Sequence, residues 1–236
     1  MNGVNTKAPV VLVHGWGGSY EAVWVRNGWA VTLADNGLSP VGVDLMGHGT
    51  SERSHIPVDY ADLASHAAGQ LPQGTGLVGI GYSLGCKVLL ELEARTPGLF
   101  SRIVLGGLGA NIFAPEALGS EVASCLEQGP QPGTPAVIKM LAEYGVRAGN
   151  DPLAIAACLR RPPNPVFTPE KLRTVKCPVL LVIGDADALA YPVDALAEAL
   201  PSAQVHVLAG VDHIALPASY EFQRVAMAFL NQSEQA

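Results

Sequence analysis

Apolar positions in this chain fall into two rhythms that alternate from one end to the other. Short runs rich in Val, Ile and Leu lie at Pro9–His14, Pro40–Asp44, Leu77–Tyr82, Arg102–Gly106, Pro178–Gly184 and Gln204–Leu208. Several are apolar at consecutive positions, as strands of a parallel sheet covered on both faces are. Between them apolar residues recur at helical spacing, predicting helices over Glu21–Asn36, Tyr60–Leu71, Leu84–Thr96, Val193–Leu200 and Pro217–Asn231. In the last of these, Phe222, Val225 and Phe229 share one face, with Glu221 and Arg224 between them. The alternation predicts an α/β fold with a mostly parallel sheet of about six strands flanked by helices.

One stretch, Leu108–Leu172, breaks the rhythm because it offers no convincing strand. It contains three proline-initiated helix starts, Ala114-Pro115-Glu116, Thr134-Pro135 and Asp151-Pro152. Thr and Asp suit the capping position and Pro the first helical position. Gly-Pro-Gln-Pro-Gly (129–133) and Pro-Pro-Asn-Pro (162–165) separate the pieces. The expected organisation is a single domain whose core comprises residues 1–107 and 173–236, with 108–172 as an inserted helical cap.

Composition narrows the function classes. A net charge of -7 leaves no basic stripe to neutralise phosphates, which excludes a nucleic-acid binder. Cys86, Cys125, Cys158 and Cys177 form no CxxC pair, so neither a zinc ribbon nor a thioredoxin-like site is offered. Met1–Ala8 is polar and short and reads as no leader, and no apolar run approaches the ~20 residues of a spanning helix. A soluble, cytoplasmic protein with reduced thiols is expected, with no membrane attachment and no obligate protein partner.

Gly81-Tyr82-Ser83-Leu84-Gly85 matches G-x-S-x-G. The pentapeptide alone is weak in a chain with 26 glycines. Its setting gives it weight, because a strand-like run leads in and a helix-like run leads out. That is the strained strand-to-helix turn that exposes a serine Oγ above a sheet. Serine at its ordinary pKa is a poor nucleophile and needs a base. Of the six histidines, His213 lies in a turn between the last strand and the last helix. The order Ser, Asp, His then requires an acid after the penultimate strand, where Gly184-Asp185-Ala186-Asp187 stands. Both aspartates are candidates, and Asp187 is favoured because a residue some positions beyond the strand can turn toward the base.

His14-Gly15-Trp16-Gly17-Gly18 ends the first strand, where glycines let a backbone N–H face a developing oxyanion. The proposed donors are the amides of Trp16 and Leu84, and His14 is read as a structural hydrogen-bonding residue of the loop. No HExxH, G-x-G-x-x-G after a strand, or GxxxxGK[ST] is present, so no metal and no cofactor is expected.

Four blocks together resemble the α/β-hydrolase superfamily, in its lid-bearing branch of small serine esterases and related hydrolases. They are Val10–Trp16, Asp44–Ser51, Gly81–Gly85, and Gly184–Asp187 with Asp212-His213, in family order and spanning Pro9 to about Asn231. The resemblance implies Ser83, Asp187 and His213 as a catalytic triad, Trp16 and Leu84 as oxyanion donors, and a structural role for His48. It also implies that Leu108–Leu172 caps the substrate pocket. Three departures stand out. Only eight residues precede Pro9, so the family's opening hairpin is missing. Asp212 replaces the glycine often found before the catalytic histidine, where it would hydrogen-bond the loop or raise the pKa of His213. The region after the fourth strand, Gly106–Asn111, carries no acid that would replace Asp187.

Serine at the elbow excludes relatives that need an aspartate nucleophile and leaves acyl transfer to water. The expected substrate is a small to medium carboxylic ester, cleaved through an acyl-enzyme. Ile112, Phe113, Leu118, Val122, Val137, Met140, Leu141 and Tyr144 are expected on the inner face of the cap. Arg147, Arg160 and Arg161 read as solvated charge rather than as ligands for an acidic substrate. Two alternatives remain open at this level. One is hydrolysis of a C–C bond, lactone or thioester, or cofactor-free perhydrolysis, by the same triad. The other is a non-catalytic ligand receptor on this fold.

Overall fold

Six strands form one sheet: β1 (Pro9–Val13), β2 (Ser39–Val43), β3 (Leu77–Tyr82), β4 (Phe100–Gly106), β5 (Val179–Gly184) and β6 (Ala203–Leu208). The computed structural model describes residues 8–114, 118–162 and 166–232. Strand order is β2-β1-β3-β4-β5-β6 and every pairing is parallel. The chain steps outward from β1 to β2, then returns to place β3 on the other side of β1. That reversal leaves a crevice beyond the carboxyl ends of β1 and β3, where open parallel sheets bind ligands.

Alternation along the strands builds a core on each face. Val10 and Leu12 join Trp24, Trp29, Phe222 and Phe229 on one side. Val11 and Val13 join Leu45, Leu63, Val88 and Leu196 on the other. Helices α1 (Trp29–Asp35) and α9 (Tyr220–Leu230) cover the first face; α2 (Leu63–Ala68), α3 (Leu84–Arg95), α7 (Pro169–Leu172) and α8 (Asp194–Ala199) lie on the second. Burying a side chain such as Phe222 contributes about 1.5–3 kcal/mol.

The six expected strands are present, with ends moved by up to two residues. All five expected helices are shorter than their apolar patterns, and three of them by more than two residues. Glu21–Asn36 divides into a π-helical turn at Tyr20–Val25 and α1, because Gly28 between them has a left-handed φ of +82°. Tyr60–Leu71 narrows to α2, which begins where the Asp62 carboxylate accepts from Ser65 N–H. Pro217–Asn231 narrows to α9, whose start is fixed by the Ser219 side chain accepting from Phe222 N–H. Caps set these boundaries more sharply than hydrophobic periodicity can.

Between β4 and β5 the described residues hold no strand. They form α4 (Gly119–Gln128), α5 (Ala136–Arg147), α6 (Pro152–Leu159) and α7. The expected Asp151-Pro152 start is as read, with the Asp151 carboxylate accepting from Leu153 and Ala154 N–H. At Thr134-Pro135 the expectation is off by one residue. Pro135 itself occupies the capping position, while Thr134 Oγ1 accepts from Gln131 N–H and closes the preceding turn. The start at Ala114-Pro115-Glu116 and most of Pro-Pro-Asn-Pro fall on 115–117 and 163–165, outside the described residues.

Candidate active site

Ser83 links β3 to α3 at φ +50°, ψ −113°, and among the described residues it is the only non-glycine with positive φ. Such a conformation costs about 1–3 kcal/mol and persists only where its surroundings enforce it. Here Ser83 N–H donates to Gly106 O at 2.8 Å, and Cys86 N–H donates to Ser83 O at 3.0 Å. Tight packing of α3 against β1 completes the turn. A Cβ on Gly85 would lie 2.2 Å from Val13 O and 2.6 Å from His14 O, both backbone. Gly85→Ala is therefore expected to cost about 3 kcal/mol, lowering Tm in a thermal melt by roughly 6–12 °C.

His213 reaches Ser83 from the loop after β6. Its Nε2 lies 3.0 Å from Ser83 Oγ, and its Nδ1 lies 2.7 Å from Asp187 Oδ2. With Nδ1–H donated to the carboxylate, Nε2 is left to accept the serine proton. Asp187 is buried, and its other oxygen accepts from Leu189 and Ala190 N–H at 3.0 Å each. Asp185 is exposed and accepts instead from Gly210 N–H at 2.7 Å. Tyr82 O–H donates to His213 O at 2.7 Å, and Asp212 Oδ1 accepts from Ala215 N–H at 2.8 Å, pinning the histidine loop on both sides. Asp212 thus serves the loop, the first of the two roles the sequence left open for it.

The loop after β1 runs beside the serine, where a Cβ on Gly15 would lie 3.1 Å from Ser83 Cβ. Gly15 O accepts from His14 Nδ1 at 2.7 Å and from Gly18 N–H at 3.1 Å. Because a peptide is planar, holding that oxygen turns the opposite end, Trp16 N–H, away from it. Trp16 N–H takes no acceptor among the described residues, and Leu84 N–H lies in the first turn of α3, where helices have no internal acceptor. Trp16 Nε1 donates to Ile155 O at 3.1 Å, which fixes the indole.

His14 is fully buried, and its Nε2 accepts from Leu45 N–H at 3.1 Å, in keeping with the structural role expected. Burial lowers its pKa. His48, whose ring centroid is 5.2 Å from that of His14, is pushed down to about 3, chiefly by burial and then by the charge of His14. Both groups hold fewer protons folded than unfolded below the ordinary histidine value of 6.5. Stability is therefore expected to be full above pH 6.5 and to fall as pH drops toward 3. Thermal melts across that window should show the loss, and His48→Gln should flatten its slope.

A cavity of about 510 Å³ opens at Ser83 and His213. Leu118, Val122, Leu141 and Tyr144 line it from the segment between β4 and β5, as expected. Four other expected residues do not line it. Ile112 is buried in the main core and Phe113 packs against that core, because the turn at Ala110–Phe113 lies against α8. Val137 and Met140 are 42% and 48% exposed, because α5 turns Ile138 and Ala142 inward against α4. The cavity also takes Leu108, Leu159, Leu189, Asn111 and Lys87, which sequence reasoning missed. Lys87 was within reach of it: four residues beyond Ser83, it shares a face of α3 with the elbow. Arg160 pairs through Nε and Nη2 with Glu127, Arg161 donates to Cys158 O, and neither these nor Arg147 lines the cavity.

The arrangement can move a proton from Ser83 Oγ to His213. The alpha/beta hydrolase family model matches residues 10–228. The chain belongs to this family. No curated protein matches it by sequence. Solved structures match it in fold at low identity. A thermophilic esterase from Thermogutta terrifontis is 21% identical with a TM-score of 0.68, over 95% of this chain and 90% of that one. The 2-hydroxy-6-oxo-6-phenylhexa-2,4-dienoate hydrolase from Rhodococcus sp. strain RHA1 is 19% identical with a TM-score of 0.74, over 98% and 92%. An esterase from Rhodococcus sp. ECU1013 is 23% identical with a TM-score of 0.66, over 98% and 93%. The sheet of this chain has six strands among the described residues. No helix among the described residues is long and apolar enough to cross a membrane, and no cluster of three or more His, Cys, Asp or Glu there could hold a metal ion.

Proposed function

We propose that this alpha/beta hydrolase cleaves a small to medium carboxylic ester through an acyl-enzyme on Ser83. The observation that carries the reading is the continuous hydrogen-bonded series Asp187–His213–Ser83, at 2.7 and 3.0 Å, ending on a strained serine at the mouth of an apolar cavity. His213 Nε2 takes the proton as Ser83 Oγ attacks the ester carbonyl, and Asp187 holds the imidazole and stabilises its charged form. Charge on the carbonyl oxygen is received by Trp16 and Leu84 N–H. Removing one such donor typically costs about 10²–10³ in kcat. His213 then gives its proton to the leaving alcohol, and water attacks the acyl-enzyme by the reverse route.

Leu118, Val122 and Leu141 give the cavity an apolar wall suited to the acyl or alkyl part of the ester, with α4–α6 as its cap. A panel of p-nitrophenyl esters of increasing chain length, with lactone and thioester substrates beside it, tests the reading. Turnover of the esters, together with labelling of Ser83 by a fluorophosphonate, is expected. An unlabelled Ser83 and no turnover, combined with tight ligand binding, would identify a receptor instead.

A further inference from the structure

We infer that Asn150, in the turn between α5 and α6, is a positioning residue that sets the Trp16 oxyanion donor from the cap side. This role rests on the esterase reading above. Asn150 is 5% exposed, and its carboxamide joins three separate segments. Nδ2 donates to Gly17 O at 2.9 Å, to Gly18 O at 3.2 Å and to Gly145 O at 3.2 Å, while Oδ1 accepts from Gly49 N–H at 2.9 Å.

The bond to Gly17 O begins a relay through two peptide planes. Gly17 O lies on the peptide whose N–H is that of Gly18. Gly18 N–H donates to Gly15 O at 3.1 Å, and Gly15 O lies on the peptide whose N–H is that of Trp16. Each plane is rigid, so holding the oxygen of the first aims the hydrogen of the second. Hydrogen bonds in series also polarise one another, which strengthens the last donor.

Packing ties the same two segments together. A Cβ on Gly17 would sit 2.8 Å from Gly145 Cα, and one on Gly145 would sit 2.7 Å from Trp16 Cη2. Trp16 Nε1 donates to Ile155 O in α6. The helices between β4 and β5 therefore hold the loop that carries the donor as well as walling the cavity. A carboxamide suits the place because only Asn and Gln offer two donor hydrogens to buried carbonyls and an acceptor oxygen to a buried N–H without charge.

Steady-state kinetics on p-nitrophenyl butyrate and inhibition by a trifluoromethyl ketone, whose serine adduct places its oxyanion on the same two amides, test the role in the full chain. Asn150→Ala is expected to lower kcat by about 10- to 100-fold with KM held within about threefold. Ketone affinity should fall in step with kcat/KM. Asn150→Asp keeps the acceptor for Gly49 N–H but loses all three donations, and should behave alike. If Tm falls while kcat and ketone affinity stay within about twofold of wild type, Asn150 is only a tie in the fold and the inference is overturned. Should the Asn150 variants not fold, Gly145→Ala displaces α5 from Trp16 from the other side. The same loss of kcat and ketone affinity is expected there, and wild-type values would overturn the inference. Inactive, unlabelled wild-type protein would sink the esterase reading itself. Active, labelled wild type with indifferent variants sinks only the positioning role.

Discussion

Ser83→Ala is expected to reduce ester turnover by on the order of 10⁶-fold, the loss seen when the nucleophile of a serine triad is removed. The variant should fold normally. The backbone strain at φ +50° is set by the bonds of Ser83 N–H to Gly106 and of Cys86 N–H to Ser83 O, and Ala keeps both. What is lost is the Oγ and its contact with His213 Nε2. A circular dichroism melt within a few degrees of wild type, beside absent turnover, would separate lost chemistry from lost structure. Turnover of the ester panel that persists in this variant would remove Ser83 from the mechanism.

Asp187→Asn is expected to lower kcat by about 10⁴-fold while the fold stays intact. The physical reason is the tautomer. An amide nitrogen facing His213 Nδ1 would donate to it, which moves the ring proton to Nε2 and leaves no acceptor for the serine proton. Asp187 is tied to Leu189 and Ala190 N–H through its other oxygen, so the substituted amide would keep its place through the oxygen it retains. Asp185→Asn provides the contrast. Among the described residues its carboxylate accepts from Gly210 N–H, in the turn that precedes the histidine loop, and kcat should stay within about threefold of wild type. Equal losses in the two variants would refute the assignment of separate roles.

Much of the scaffold was legible because its signals are local. The strand runs announce themselves through consecutive Val, Ile and Leu, and Gly81-Tyr82-Ser83-Leu84-Gly85 through its strand-to-helix setting. The interior of the segment between β4 and β5 was less legible. Its helix starts could be read from proline, yet α5 turns Ile138 rather than Val137 and Met140 inward. An amphipathic helix states that it has an inner face, and the neighbour it meets decides which of two adjacent stripes that face is. Asn150 gave no signal at all. It sits beside a helix cap in sequence, and its importance comes from carbonyls at Gly17, Gly18 and Gly145 that only folding brings to it.

The sequence by itself determined the parallel α/β architecture, the turn that presents Ser83, and the pair Ser83 and His213, because periodicity, glycine spacing and chain order are written along one dimension. It favoured Asp187 while leaving Asp185 a candidate, and it was silent on how the loop that carries the Trp16 amide is held. Both are matters of tertiary structure. The two aspartates lie two residues apart on one loop, and the path of that loop past Ala186 turns one carboxylate onto His213 Nδ1 and the other toward Gly210. The loop that carries the Trp16 amide is tied by Gly18 N–H to Gly15 O and by the Asn150 carboxamide to Gly17 O, and hydrogen-bond geometry between such partners exists only once the chain has folded.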